Sequence, residues 1–445
     1  MSGEQRDPRG RLGHPPSEVL IVIENMSFTY DTRMRNIAGT LRAAEYGVRV
    51  ICPRFPGDPA RSVGPADVHV RHFRQPQFPG AFGHVIEYAA SIAAILLHAL
   101  RERAVGRADI VHLCNPPDAL FVIGVVCRLL GARVVYDQHD LNPELFALRY
   151  PGAPRGARRL VAFAERLAVR VADEIVVTNE TARTRTLGRS ATHGERVTVI
   201  RNGTPLAHAA SLHSETRTED GVLIGYLGHT NSQDGLDVLL ATAQELIVGR
   251  SRGDLRFLVV GDGDALRALE AGLVQHRLDA AFELAGRLPP HEALRRIASC
   301  DICIQPDPRN DFTEATTMVK TLEYLALGRA VAAFDLRETR WSCGEAALYA
   351  ADDSPAALAD VIETLADDPE LRGRLGAQAR DRFTRILSWE CSVAPLLAVY
   401  DRLARSASGE RSRVSRRARK AHIPLGLAGR AAPLTSAASA QDRRA

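Results

Sequence analysis

The stretch TTMVKTLEYLALGRA, residues 316–330, places Lys320 three residues before Glu323. Lysine is nearly absent from this chain: of 57 lysines and arginines, only Lys320 and Lys420 are lysine. Thr316 or Thr317 would suit the N-cap of a helix here, and Gly328 its stop. A cation in the first helical turn works against the helix dipole, at a cost of about a few tenths of a kcal/mol. An anion at the helix start, where backbone N–H groups are unused, would offset that cost. Lysine offers such an anion a compact point charge, which the broad arginine fork does not. Glu323, one turn deeper on the same face, could accept two hydroxyl hydrogen bonds, as from a ribose. An exposed Lys–Glu pair at i,i+3 spacing is the plainer alternative.

Other segments carry comparable chemistry. VVGDGDAL (259–266) holds Gly261, Asp262 and Gly263 where a strand turns into a helix, and GYLGHTNSQDG (225–235) holds Gly228 in a similar place. Glycine there permits close backbone approach to a ligand. The dinucleotide fingerprint wants a third glycine at 266, where Leu266 stands, so a nicotinamide site is disfavoured. Arg287 and Leu288 in AGRLP (285–289) could frame a base. In VVYDQHDLNPE (134–144), Asp137, His139, Asp140 and Glu144 follow an apolar run. His139 is a candidate contact for sugar hydroxyls or the reaction centre, with a structural histidine as the alternative. Asp31, Arg33 and Arg35 in DTRMR, and Asn115 and Asp118 in NPPD, end neighbouring runs and are candidates for the acceptor or phosphate side. Cys300-x-x-Cys303 lacks a second cysteine pair or a histidine cluster, which argues against zinc or redox use. No Ser-His-Asp pattern, HExxH or P-loop is evident. No metal site and no bound cofactor is expected.

Elements must position these residues. Apolar runs of four to six residues at 19–24, 48–53, 109–115, 132–138, 173–179 and 197–203 alternate with helix-like segments, then the pattern restarts at 222. Strands of this kind are covered on both faces, as in a parallel doubly wound sheet, and ligands gather at the strands' carboxyl ends. The expected class is α/β, with two Rossmann-like doubly wound domains facing a central cleft. Residues 18–205 form the first domain, 206–220 a linker, 221–385 the second domain, and 386–404 a helix that could cross back to the first. Residues 1–17 and the basic tail, 405–445, read as disordered. From 402 to 420 the chain carries eight cations against Glu410, so the body is near neutral under a net charge of +4. That excludes a large basic face for nucleic acid. Seven scattered cysteines and an N-terminus without an apolar core read as a reduced cytoplasmic protein. The basic tail raises peripheral contact with the inner face of a membrane.

The order of ENMSFTYDTRMRN, DIVHLCNPPD, YDQHDLNPE, VTVIRNG, GYLGHTNSQDG, VVGDGDAL and TMVKTLEYLALGRAVAAFDLRET resembles the family 4 glycosyltransferases of GT-B fold, nearest those of bacterial surface-polysaccharide assembly. The resemblance spans about residues 19–404. It implies retaining, metal-independent transfer of a hexose from a nucleotide sugar, UDP- or GDP-linked, to a hydroxyl of a glycan or lipid-linked acceptor. The second domain would hold the nucleotide and the first the acceptor. Glu323 matches the second glutamate of the family's E-x7-E motif, on the ribose. His139 matches the histidine at the donor sugar, with Asp140 beside it. The amides around Thr316, Thr317 and Met318, with Lys320, match the pyrophosphate loop. Arg287 and Leu288 match the backbone that frames the base. The first glutamate of the motif is replaced by Ala315, with Glu314 one residue out of register, and a basic pair usual after GYLG is replaced by His229 and Thr230. Two alternatives remain open: a degenerate scaffold subunit of the same fold, which Ala315 favours, and a nucleotide-sugar 2-epimerase, which would need carboxylates around the sugar.

Overall fold

A computed structural model describes residues 17–404 apart from 56, 57, 59, 77–79 and 212–220. The segments expected to be disordered, 1–17 but for its last residue and 405–445, and most of the 206–220 linker lie outside the described residues.

The apolar runs form two sheets. The first holds β1 (Glu18–Val22), β2 (Gly47–Pro53), β3 (Arg61–Gly64), β4 (Val68–Phe73), β5 (Ile110–Cys114), β6 (Arg133–Gln138), β7 (Glu174–Val177) and β8 (Val197–Val199), in spatial order β3-β4-β2-β1-β5-β6-β7-β8. The second holds β9 (Val222–Leu227), β10 (Leu255–Val260), β11 (Phe282–Gly286), β12 (Ile302–Gln305), β13 (Ala330–Ala333) and β14 (Ala347–Tyr349), in order β11-β10-β9-β12-β13-β14. All pairings are parallel except β3 with β4. Strand order reverses between β1 and β5 in one sheet and between β9 and β12 in the other. At such switch points the adjoining loops diverge and leave a crevice.

Three strands escape a search for unbroken apolar runs. In β4, VHVRHF, charged and apolar residues alternate, and β3 is an antiparallel strand at the sheet edge. β14 is only three residues long.

Side-chain alternation divides each core in two. Val19 and Ile21 of β1 join one apolar cluster and Leu20 and Val22 the opposite one. The helix at 389–404 closes the first of these. Leu396, Val399, Tyr400 and Leu403 recur at helical spacing and bury against Val19 and Ile21, although the chain has by then traversed the second domain. Polar contacts fix it as well: among them, Trp389 Nε1 donates to Thr40 Oγ1 at 2.8 Å, and Arg402 forks onto Glu174 at 2.9 and 2.6 Å.

Candidate functional site

The helix Val319–Ala326 begins with Met318 at its N-cap and no side-chain cap. Neither expected threonine caps it. Thr316 Oγ1 donates to the Phe312 carbonyl, and Thr317 Oγ1 accepts from Asn179 Nδ2 at 3.0 Å. Lys320 in the first turn is buried and does not pair with Glu323. Its Nζ lies 2.9 Å from Asp307 Oδ1 and 3.4 Å from the Tyr226 hydroxyl. Burial alone would lower the Lys320 pKa, but the Asp307 carboxylate reverses the shift and raises it. Glu323 is pushed up to about 7 by burial, against the opposing pull of Arg35 from the first domain.

The glycines let two loops pass close to each other. A Cβ on Gly261 would sit 1.8 Å from the Gly228 carbonyl, and one on Gly263 would sit 2.6 Å from the Thr230 carbonyl. The close backbone approach is therefore between the loops after β9 and β10. Arg287 is half exposed, 3.8 Å from Asp262 and 5.9 Å from the ring centroid of Tyr30 in the first domain. Leu288 packs beneath it against the second-domain core.

In the first domain four of the candidate residues are held by other groups of the protein. Asp31 is a helix N-cap, accepting from the Met34 amide at 2.9 Å. Arg33 is buried on Asp137, with Nε at 3.0 Å and Nη2 at 2.9 Å, so its guanidinium already holds a carboxylate of the protein. Asn115 and Asp118 are buried too. Asn115 Oδ1 accepts from the His139 amide at 2.6 Å and the Asp140 amide at 3.2 Å, and Asp118 accepts from the Tyr136 hydroxyl and Asn115. These two brace the His139–Asp140 loop from below.

His139 sits on that brace with its Nε2 3.3 Å from Asp137 Oδ2. Burial alone would lower the His139 pKa, yet the Asp137 carboxylate raises it. Asp137 is fully buried, which by itself would raise its own pKa, but Arg33 and His139 hold the carboxyl well below its usual range. It is also met by His112 Nε2 at 3.1 Å, whose Nδ1 lies 2.7 Å from the Tyr400 hydroxyl of helix 389–404. Burial raises the Asp140 pKa against the pull of His139, Arg149 and His229.

The two domains meet through these strand ends. Asn179, after β7, donates to the Ala315 carbonyl at 2.9 Å as well as to Thr317. Thr181 donates to Glu338 at 2.5 Å, and Arg201 pairs with Glu338 at 3.3 Å while stacking on Trp341. Across the gap, Arg35 faces Glu323 and Asp140 faces His229. Ala315 joins the apolar cluster of the first domain, and Glu314 turns away to Arg309 and the Arg337 amide. Glu314 therefore does not stand in for the missing glutamate.

Asp307, Asn179, Glu338 and Tyr226 were not singled out from sequence. Asp307 had a readable signal, since QPDP puts a carboxylate directly after an apolar strand; Asn179 reads only as a helix N-cap, which it also is. Among the described residues, no three His, Cys, Asp or Glu side chains converge as a metal site.

A family model described as Glycosyltransferase Family 4 matches residues 31–208, and one described as Glycosyl transferases group 1 matches residues 221–368. The alpha-D-kanosaminyltransferase of Streptomyces kanamyceticus is 24% identical over 333 residues, covering 70% of this chain and 83% of that protein. The 2-deoxystreptamine glucosyltransferase of the same organism is 26% identical over 346 residues, covering 73% and 87%. In fold, the chain is similar to the sucrose-phosphate synthase of Thermosynechococcus elongatus, with TM-score 0.70 and 16% identity over 88% of this chain and 100% of that one. It is also similar to Anabaena HepE in complex with UDP, with TM-score 0.59 and 14% identity over 88% and 100%.

Proposed function

We propose that this chain, which belongs to the family 4 and group 1 glycosyltransferases and moves a sugar from a nucleotide sugar to an acceptor, does so with retention of configuration and without a metal ion. The donor is UDP- or GDP-linked, and the acceptor hydroxyl belongs to a glycan or a lipid-linked sugar in polysaccharide or glycolipid assembly. The second domain takes the nucleotide and the first the acceptor.

One observation carries this reading: the uncapped start of the helix Val319–Ala326 lies beside buried Lys320, with Glu323 one turn deeper on the same helix. The Val319 amide and Lys320 stabilise charge on the leaving diphosphate, and Glu323 accepts from the ribose. Arg287 and Leu288 frame the base. The bond from the anomeric carbon to the diphosphate oxygen breaks as the acceptor oxygen approaches from the same face. The acceptor proton passes to the departing phosphate oxygen, and His139 positions the donor sugar from the first domain. Fixed donors of this kind act without reorganising as charge develops. UDP in the HepE complex supports a uridine donor.

The scaffold alternative rests on Ala315. Its methyl packs in an apolar cluster of the first domain, so the replacement suits the packing at that point, which weakens that reading. The same proposal has the 405–445 tail touch an anionic membrane from the cytoplasmic side. No helix among the described residues is long and apolar enough to cross a membrane.

A thermal-shift panel with UDP, GDP, dTDP, ADP and CMP tests the donor class. A nucleotide at about 100 times its Kd adds about 2.7 kcal/mol, a clear rise in Tm. UDP or GDP is expected to respond alone; silence from all five would leave the proposal without its donor.

A further inference from the structure

Exposed apolar side chains are not spread evenly over this molecule. Of the eighteen large ones among the described residues, eleven fall between Ile86 and Phe163. They belong mainly to three helices, Gly80–Ala104, Phe121–Leu129 and Arg155–Val171, which cover one face of the first sheet. Each helix spends its inner stripe on the core: Ile95 and Ala99, Ile123 and Cys127, and Ala168 and Val169 share the cluster of Leu20 and Val22. The apolar residues on the outer side, including Leu97, Val125 and Leu129, are thus surplus to folding. Single exposed apolar residues are ordinary; a concentration of this size on one layer marks an interaction surface.

The helix Arg155–Val171 shows what it could interact with. Phe163 is 54% exposed and Leu160 67% exposed. Arg159, Arg166 and Arg170 recur at helical spacing around Phe163 and are exposed. None of the three has an ion-pair or hydrogen-bond partner among the described residues. The helix's one acid, Glu165, points inward and is taken by Arg189. Fixed, unpaired positive charge beside exposed phenylalanine and leucine suits an anionic lipid surface. The rings and branched chains enter the acyl boundary while the guanidinium groups meet phosphates. Nucleic acid would find the cations but no use for Val125, Leu129 and Leu160 in the same layer.

We propose that this outer helical layer of the first domain, centred on Phe163, Arg159, Arg166 and Arg170, docks on an anionic membrane surface. The surface is built from residues other than the tail and goes beyond the contact proposed for it. Its helices carry none of Lys320, Glu323 and His139, the last of which lies in the loop after β6.

The test is flotation of the full chain at low salt with phosphatidylcholine vesicles, with and without phosphatidylglycerol. The variants are Arg159→Glu/Arg166→Glu/Arg170→Glu and Leu160→Ser/Phe163→Ser, beside a chain lacking 405–445. Wild type should float with the anionic vesicles only, and less as salt rises. Removing one arginine should cost about fivefold in partition, so reversing three should cost on the order of 100-fold or more. The serine pair should lose binding as well, and the tail deletion should retain most of it. Failure of wild type to float overturns the proposal. So does wild-type flotation by both variants, which would assign binding to the tail or another face. A wild-type dimer that the serine pair renders monomeric, without flotation, would assign the face to a second copy and also overturn it. The variants keep these outcomes separate from misfolding and from the donor reading, because their nucleotide-induced thermal shift should match wild type.

Discussion

The ammonium of Lys320 lies 2.9 Å from the carboxylate of Asp307, and both side chains are buried. The cation is thereby held in place by the protein itself, at a point where solvent could not stabilise it alone. Removing one member of a buried pair strands the other, at about 3–5 kcal/mol. Lys320→Ala should therefore lower Tm and abolish transfer together. Asp307→Asn/Lys320→Met should recover most of the stability and none of the transfer. Denaturation and initial-rate measurements on both variants separate the two roles. Transfer by the double variant near the wild-type rate would remove Lys320 from the phosphate site.

His139 is coupled to Asp137 at 3.3 Å, and Asp137 to Arg33 and His112. Loss of a hydrogen-bonding partner that carries charge costs about 1.5–3 kcal/mol, or about 10- to 100-fold, so if His139 positions the donor sugar, Asp137→Asn should lower kcat by that order. The sign of the linked pH effect follows from the raised His139 pKa. The stability this histidine contributes is fully present below its unfolded value of about 6.5 and is lost as pH rises through the folded value. Asp137 is shifted the other way: its contribution is present above its unfolded value of about 3.9 and lost on acidification. NMR titration of the His139 ring checks the coupling in the wild-type protein. A ring titrating at or below the ordinary value would refute it.

Glu323, held at about 7, gives nucleotide binding a pH dependence. A ribose donates its hydroxyl protons best to the ionised carboxylate. With a pKa of about 7, the carboxylate is about one-tenth ionised at pH 6 and about nine-tenths at pH 8, so affinity should rise nearly tenfold between them. Calorimetry with a nucleotide sugar, whose diphosphate is esterified at both ends, avoids titration of the ligand. Glu323→Gln should flatten the profile. A wild-type affinity independent of pH would mean that the ribose does not meet Glu323.

Restoring the family's glutamate at 315 should do harm. Ala315→Glu forces a carboxyl into the cluster of Tyr136, Leu141 and Ala182, beside the carbonyl that Asn179 holds. A cost of about 2–4 kcal/mol is expected, with no gain in transfer. Faster transfer at unchanged Tm would show that position 315 faces the donor after all.

Local pattern determined much of this molecule. Unbroken apolar runs such as VLIVI and FLVV admit little but strands covered on both faces, and the helical segments between them require parallel winding twice over. The spacing of Lys320 and Glu323 placed both on one helix, and glycines marked the loops between strands and helices. Which residues those groups face was decided only by packing. Lys320 meets Asp307, thirteen positions earlier, because β12 ends beside the start of its helix. Arg33, from sequence a candidate for the acceptor or phosphate side, pairs with Asp137, which lies 104 positions away. Tyr400 reaches His112 across 288 positions, after the chain has built a second domain and returned. Periodicity is a property of neighbours along the chain and survives in a string of letters. The pairing of buried charges depends on which strand ends converge, and that is settled only when burial strips away water and leaves each charge to find a partner within the protein.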